Sequence, residues 1–373
     1  MGVENSKRLM SLDALRGFDM FWILYPSYPI FRTLLAALGM QGCWLYMQMD
    51  HRPWIGFTFY DTIFPLFLFM AGVSWPYSLS SARSKGATTL AISFRIVRRA
   101  ATLFLLGMIV HGFLQRGFNG SLASVLGRIG ISWGVAAFLF MAFGWRIRLV
   151  ISAAILVVYW LLPFAVTVPG VGADVLPYAD KASCLYIWLE TNFLPKPQVG
   201  LGAIGMFSMV STALMGMFAG ELLRREAPGL GGNRKVLWLA AAGVACAAAG
   251  LVMAFCFGWW SVPLIKPIWS SSYALVSSGY SFAMLALFYW IIDVKGWRRW
   301  SFPLRVIGMN SIFAYMASRS IFPWRAEMDF LFGGVMRLMP TPEWGKFAGE
   351  LGYLLVYWLL LYFMYRKQIF FKA

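Results

Sequence analysis

Apolar runs of about 20 residues, the length that crosses the hydrocarbon core of a bilayer, recur along this chain with short basic clusters between them. They lie near 17–38, 56–80, 99–117, 123–143, 149–168, 201–222, 236–257, 273–293, 304–323 and 349–365. Backbone buried in lipid must satisfy its own hydrogen bonds, so runs of this length are helical. The charged fraction is 13% against a hydrophobic fraction of 60%. A soluble domain carries about 25% charged residues, so a water-soluble fold is excluded. Only 4 cysteines are spread over the 373 residues, which excludes a disulfide-stapled secreted fold. The expected class is all-α: a polytopic integral membrane helix bundle of about ten transmembrane helices, forming one domain over residues 1–373.

The net charge of +17 would suggest nucleic acid on a soluble chain. Here the charges sit between apolar runs, where they act as topology signals and headgroup contacts, and no nucleic-acid partner is expected. One face collects Lys7, Arg8 and Arg16, then Arg83, Lys85, Arg95, Arg98 and Arg99, then Arg146 and Arg148. The same face continues with Arg224, Arg225, Arg234 and Lys235, then Lys295, Arg298, Arg299 and Arg305, and ends with Arg366, Lys367 and Lys372. The other face holds an acidic group: Asp50, Asp174, Asp180, Glu190, Glu327, Asp329 and Glu343. The positive-inside rule therefore expects both termini in the cytoplasm. The first apolar run contains Pro26 and Pro29 and lacks a small-residue cleavage site, so it reads as a retained helix rather than a cleavable signal. Cys43 and Cys184 both fall in expected outer loops; a disulfide is open there, and two free thiols are the favoured reading.

Ionisable groups at membrane depth are costly and mark sites. The densest group runs from Asp50 through His51 to Asp61 and Pro65. Asp61 is expected inside the second span, four residues before Pro65, whose ring would remove the hydrogen bond to the Asp61 carbonyl and kink the helix. The chain has 2 histidines, His51 and His111. His51 precedes an intramembrane acid and is the candidate for chemistry; His111 closes an apolar helix without nearby acids and reads as a packed residue. Two further constellations are Arg8–Gly17, where Ser11 or Asp13 can cap the helix, and Gly308-Met309-Asn310-Ser311, where the amide can also serve helix packing.

These residues resemble a known family. Arg8–Gly17 (Arg-x-x-Ser-Leu-Asp-x-x-Arg-Gly), His51-x-x-Trp54-x-Gly56-x-Thr58-x-x-Asp61-x-x-Phe64-Pro65, and the stretch from Pro267 through Asp293 to Gly308-Met309-Asn310-Ser311 resemble the transmembrane acyltransferases related to heparan-alpha-glucosaminide N-acetyltransferase and their bacterial relatives. Val125–Gly130, with Arg128, resembles the family's fourth-helix entry. The resemblance implies acetyl transfer from cytosolic acetyl-CoA, with no metal, to the amine of a terminal glucosamine on the far side of a bacterial inner membrane. The family's active-site histidine matches His51 and its acid matches Asp61. On this reading His51 is the general base, with an acetyl-histidine intermediate as the competing route, and Asp61 orients it. Asn310, with Ser311, donates to the thioester oxygen. Arg8, Arg16, Arg98, Arg99, Arg128 and Arg305 are the expected ligands of CoA, with Ser311 beside them. The expected partners are acetyl-CoA, an amino sugar or glycan and the bilayer; a homodimer is an open alternative. Competing functions are O-acetylation of surface glycan and transport, the latter weakened by the absence of an internal repeat.

Overall fold

The structure, a computed structural model, describes residues 9–24, 27–110, 124–172, 174–193, 202–318 and 324–371. Arg8 and His111 lie outside the described residues. The helices in chain order are α1 (Met10–Ile23), α2 (Ser27–Ala37), α3 (Trp44–Gln48), α4 (Ile63–Ser84), α5 (Thr89–Val110), α6 (Val125–Ala142), α7 (Trp145–Ala165) and α8 (Leu185–Phe193). They continue with α9 (Met206–Arg224), α10 (Gly232–Phe255), α11 (Ser271–Phe288), α12 (Phe302–Met309), α13 (Ser311–Met316), α14 (Trp324–Arg337) and α15 (Pro342–Arg366). A 3₁₀ turn, Phe59–Thr62, leads into α4, and α11 runs on through a π-helical segment, Tyr289–Val294. Among the described residues no strand forms; one antiparallel bridge joins Ile55 and Ile265.

Seven stretches among the described residues are long and apolar enough to cross a membrane: Phe59–Ser84, Val125–Ala142, Trp145–Ala165, Met206–Arg224, Gly232–Phe255, Ser271–Val294 and Pro342–Arg366. Three of the expected runs are not among them, each for a local reason. The run 17–38 is divided into α1 and α2, with Leu24 extended (φ −64, ψ 133) after α1. The run 99–117 overlaps α5, which carries Arg95, Arg98 and Arg99, and its apolar continuation lies outside the described residues. The run 304–323 is divided at Asn310 (φ −121, ψ 35), between α12 and α13, and its last five residues lie outside the described residues.

The chain forms two compact units. One contains Met1–Gln41, Ala227–Ala240 and Ala283–Lys372; the other contains Gly42–Glu226 and Ala241–Phe282. In the second unit α4 lies directly on α9. The contact is backbone to backbone: a Cβ on Gly72 would meet the Ala213 carbonyl oxygen at 2.3 Å, and one on Gly216 would meet that of Phe69 at 2.0 Å. Helices gain no hydrophobic drive from lipid, so small residues that admit such close packing supply the association. Hydroxyls add bonds across this unit: Ser211 donates to the Ser152 carbonyl (3.1 Å) and Ser271 to that of Leu156 (2.7 Å). Arg148 of α7, 4% exposed, reaches Glu221 of α9 at 2.9 Å and lies over the Phe140 ring at 3.9 Å. A buried guanidinium needs such a counter-charge.

In the first unit α1 packs on α12 through a reciprocal pair of glycines. A Cβ on Gly17 would overlap the Leu304 carbonyl oxygen (1.7 Å), and one on Gly308 would overlap that of Asp13 (2.0 Å). The Arg-Gly of the first sequence block and the Gly of the third are thus the two halves of one helix contact. Asp13 sits in the first turn of α1 and pairs with Arg16 at 3.5 Å, and the Ser11 amide donates to Asp293 at 3.2 Å.

Candidate active site

The site is built where the second span begins, entirely within the second unit. The segment from Asp50 to Thr58 is held open rather than helical, and each residue of its spaced motif has a mechanical reason. The Trp54 indole donates to the Tyr178 carbonyl at 3.0 Å. Gly56 adopts φ +136, a conformation open to glycine, and its amide donates to the Leu264 carbonyl at 2.9 Å. Thr58 offers both its amide (3.2 Å) and its hydroxyl (2.9 Å) to Asp61 Oδ2; the hydroxyl also lies 2.6 Å from the Asp50 carbonyl, so one proton serves two acceptors.

Pro65 does not kink the helix as its sequence position suggested. It falls in the first turn of α4, where a missing N–H costs nothing, and the break expected in mid-membrane is instead the start of the span. The Asp61 carbonyl that the proline leaves without a helical donor accepts from the Tyr273 hydroxyl at 2.6 Å. The acid is therefore fixed by its main chain as well as its carboxylate.

The bridge between Ile55 and Ile265 sets the register of a second loop against the first and brings in a residue that sequence reasoning missed. Lys266 Nζ lies 3.1 Å from Asp61 Oδ1. It also sits 3.0 Å from His51 Nδ1 and 3.5 Å from Nε2. The loop that carries it is tightly tied. The Ser270 amide returns to the Ile265 carbonyl (3.1 Å) and the Trp269 amide to that of Lys266 (3.0 Å). Tyr159 donates to the Ile268 carbonyl at 2.7 Å. Trp269, fully buried, has φ +55, which costs a bulky side chain about 1–3 kcal/mol. Its indole bond to Thr212 at 3.2 Å helps hold that conformation.

His51 Nδ1 lies 2.8 Å from Asp61 Oδ1, and the histidine side chain is 50% exposed while that of Asp61 is 0%. The Tyr60 ring packs against the imidazole with centroids 4.6 Å apart. Asp61 receives donors on both oxygens, the pattern of an ionised carboxylate, so the proton between it and the ring belongs to Nδ1. Nε2 is then the bare nitrogen on a half-exposed ring, the arrangement of a general base held by an acid. Lys266 completes the charge balance. Burial pushes its ammonium down from 10.5 to about 8, against the opposing pull of Asp61. A buried lysine that titrates so low is an unusual group beside an imidazole.

Arg98 is exposed, and Arg99 of the same helix lies 4.2 Å over the Trp133 ring. Arg128 is 1% exposed in the first turn of α6 and faces an acid: burial raises the Glu190 carboxyl, and the Ile204 amide (2.8 Å) and the charge of Arg128 hold it down. Arg16, Arg305, Asn310 and Ser311 belong to the first unit. Asn310 uses its carboxamide on the C-terminal segment: Nδ2 donates to the Ile369 carbonyl (2.9 Å) and Oδ1 accepts from the Phe371 amide (3.1 Å). Both polar atoms of the carboxamide are thus engaged by the C-terminal segment. All four cysteines are free, Cys43 and Cys184 included. An apolar groove of about 460 Å³ is lined by Trp160, Phe164, Phe257 and Trp260 with Leu161 and Ala165; it holds no titratable group. Among the described residues no three His, Cys, Asp or Glu side chains gather as a metal set.

No family model matches the chain. It is similar to two curated proteins that carry the name heparan-alpha-glucosaminide N-acetyltransferase. The one from Mus musculus is 24% identical over 434 aligned positions, which take in 99% of this chain and 61% of the relative. The one from Homo sapiens is 23% identical over 444 positions, covering 98% and 60%. The chain spans about three fifths of the length of these relatives and is distantly related to them.

Proposed function

We propose that this chain is a membrane acetyltransferase that carries an acetyl group from acetyl-CoA to the amine of a glucosamine-type sugar. The observation that carries the reading is the His51–Asp61 pair, 2.8 Å apart, with Nδ1 facing the carboxylate on a half-exposed ring. The similarity to the two N-acetyltransferases supports the same chemistry. His51 Nε2 takes a proton from the sugar amine as it attacks the thioester carbonyl. General-base help of this kind contributes about 10²–10⁴-fold. Asp61 keeps the ring in the productive tautomer and stabilises the imidazolium, and Lys266 and Thr58 hold Asp61 in turn.

The charge pattern of the loops supports a crossing substrate. CoA is polyanionic and suits the basic face, proposed as cytoplasmic, where Arg98 and Arg99 of the second unit are the phosphate ligands. The acceptor meets the thioester at the other face, beside His51. The test is mass spectrometry of amino sugars after incubation of the purified chain with isotope-labelled acetyl-CoA and glucosamine. Labelled N-acetylglucosamine is the expected product and is lost in His51→Ala; a His51→Ala chain with normal turnover removes the histidine from the mechanism.

A further inference from the structure

The proposed acceptor is a primary amine, and the site already contains one. Lys266 Nζ lies 3.0 Å from His51 Nδ1 and 3.5 Å from Nε2, so a thioester presented to the bare Nε2 is presented to this nitrogen too. The lysine's own side chain is 10% exposed. Its loop is pinned by the Ile55–Ile265 bridge and by the Tyr159 and Ser270 bonds, so the amine cannot retreat along a mobile chain. Its contacts are the carboxylate that neutralises it as a cation and the imidazole, whose unprotonated Nε2 at 3.5 Å can relieve it of a proton.

We infer that Lys266 is an acetyl-acceptor site: when donor is present and the sugar amine is not, the acetyl group passes to Lys266 and the enzyme modifies itself. This rests on the acetyl-CoA reading above. The step is closed. The neutral amine attacks the thioester carbonyl carbon and an N–C bond forms. The C–S bond breaks, the thiolate leaves with CoA, and the proton shed by nitrogen passes through His51 to the sulfur. The products are an acetamide on Lys266 and free CoA thiol, with no oxidant, reductant or further reactant.

The consequence is electrostatic. An acetamide carries no charge, so Asp61 loses the cation at 3.1 Å and is left with a neutral neighbour. Amides do not return their acyl group to amines under these conditions, so the modified chain is switched off until it is deacetylated or replaced. The sugar amine competes for the same thioester, so acceptor protects and donor alone inactivates. At pH 8 an amine that titrates near 8 holds about a hundredfold more free base than an ordinary lysine near 10.4, which after its lower intrinsic nucleophilicity leaves an advantage of about tenfold.

The experiment takes the purified full chain through two acetyl donors, labelled acetyl-CoA and the CoA-free ester p-nitrophenyl acetate, each without sugar. The peptides that carry Lys266 and the exposed Lys181 are then compared by mass. Lys266 should label about tenfold faster than Lys181 with either donor. Glucosamine should slow the acetyl-CoA reaction, and preincubation with acetyl-CoA should reduce later transfer in step with labelling. Lys266→Arg, whatever its starting rate, should lose nothing on preincubation. An unlabelled Lys266 in a chain that acetylates glucosamine overturns this inference and leaves the proposed function standing. A chain that moves no acetyl from acetyl-CoA to either amine overturns that reading instead; the ester arm then decides, and Lys266 labelled no faster than Lys181 ends the inference.

Discussion

Lys266 Nζ and Asp61 Oδ1 lie 3.1 Å apart, the lysine side chain 10% exposed and the aspartate 0%. An isolated charge this deep would cost several kcal/mol, so each group is present because the other is. The pair gives the site a pH dependence that an Asp–His dyad alone lacks. Burial holds the Lys266 ammonium at about 8, so transfer should fall as pH rises through that value and Asp61 loses its cation. Lys266→Arg keeps its charge throughout, and its pH–kcat profile should show no such fall. A wild-type profile that is flat from pH 7 to 9 would separate Lys266 from turnover. Stability moves the other way. Between about 8 and the ordinary 10.5 the unfolded chain binds more protons at this residue than the folded one. The fold therefore gains with rising pH across that window and bears the full cost of the buried charge below it.

Asp61→Asn tests the dyad. The substitution keeps the volume and can still accept from Thr58, but its amide cannot stabilise an imidazolium and can present an N–H to Nδ1, which favours the wrong tautomer. Transfer should fall by about 10²–10⁴-fold in kcat, with little change in affinity for acetyl-CoA by titration. Loss of acetyl-CoA binding with unchanged kcat would reverse the assignment.

How much of this was legible beforehand follows the physics of each residue. His51 and Asp61 stood out because few imidazoles and acids occur beside an apolar span, and their spacing to Trp54, Gly56 and Thr58 is local. Lys266 did not, since nothing in a lone lysine before a proline says which loop it will face; the Ile55–Ile265 bridge that aims it is a long-range pairing. A usable signal was present: a single lysine in a short connection away from the basic clusters. Helicity was written in the apolar runs, whereas the break at Asn310 was not, because the residues that make it tolerable are Ile369 and Phe371, far along the chain. Pro65 was misjudged by one turn, which turned a helix start into a kink.

Tyr273→Phe removes one hydroxyl and leaves the ring. The Asp61 carbonyl then has neither a helical donor, because residue 65 is proline, nor the phenol now at 2.6 Å. Leaving a buried carbonyl unpaired costs about 1–3 kcal/mol, so the detergent-solubilised variant should unfold at a lower temperature than wild type. Because the freed main chain carries Asp61, kcat should fall as well. An unchanged melting temperature would mean that another donor takes the carbonyl.

Gly308→Ala probes the contact between the first and third sequence blocks. The added Cβ would meet the Asp13 carbonyl oxygen at 2.0 Å and the Gly17 amide nitrogen at 2.8 Å, both backbone atoms that cannot swing aside. Overpacking of this kind costs about 1–3 kcal/mol, again read as a lowered melting temperature. Gly334→Ala, which has no atom within 4 Å of its Cβ position, is the matched control and should change it far less. Equal melting temperatures for the two variants would show that α1 and α12 can part without cost.

Asn310→Ala tests the clamp. The Phe371 amide donates to Asn310 Oδ1 at 3.1 Å, and the Phe371 ring stacks on Phe313 with centroids 5.3 Å apart. Alanine takes away the acceptor and the Nδ2 donor to Ile369 together while sparing the ring contact. Hydrogen exchange at the Phe371 amide should accelerate by about tenfold, the equivalent of about 1.4 kcal/mol of lost protection, with exchange inside α15 little changed. The opposite substitution separates anchor from catalyst: Phe313→Ala removes the stacking and leaves Asn310 intact. If the carboxamide is the anchor, Phe313→Ala should accelerate that amide less than Asn310→Ala does; if both variants leave its exchange at the wild-type rate, the segment is held by neither residue and the carboxamide is free for another role.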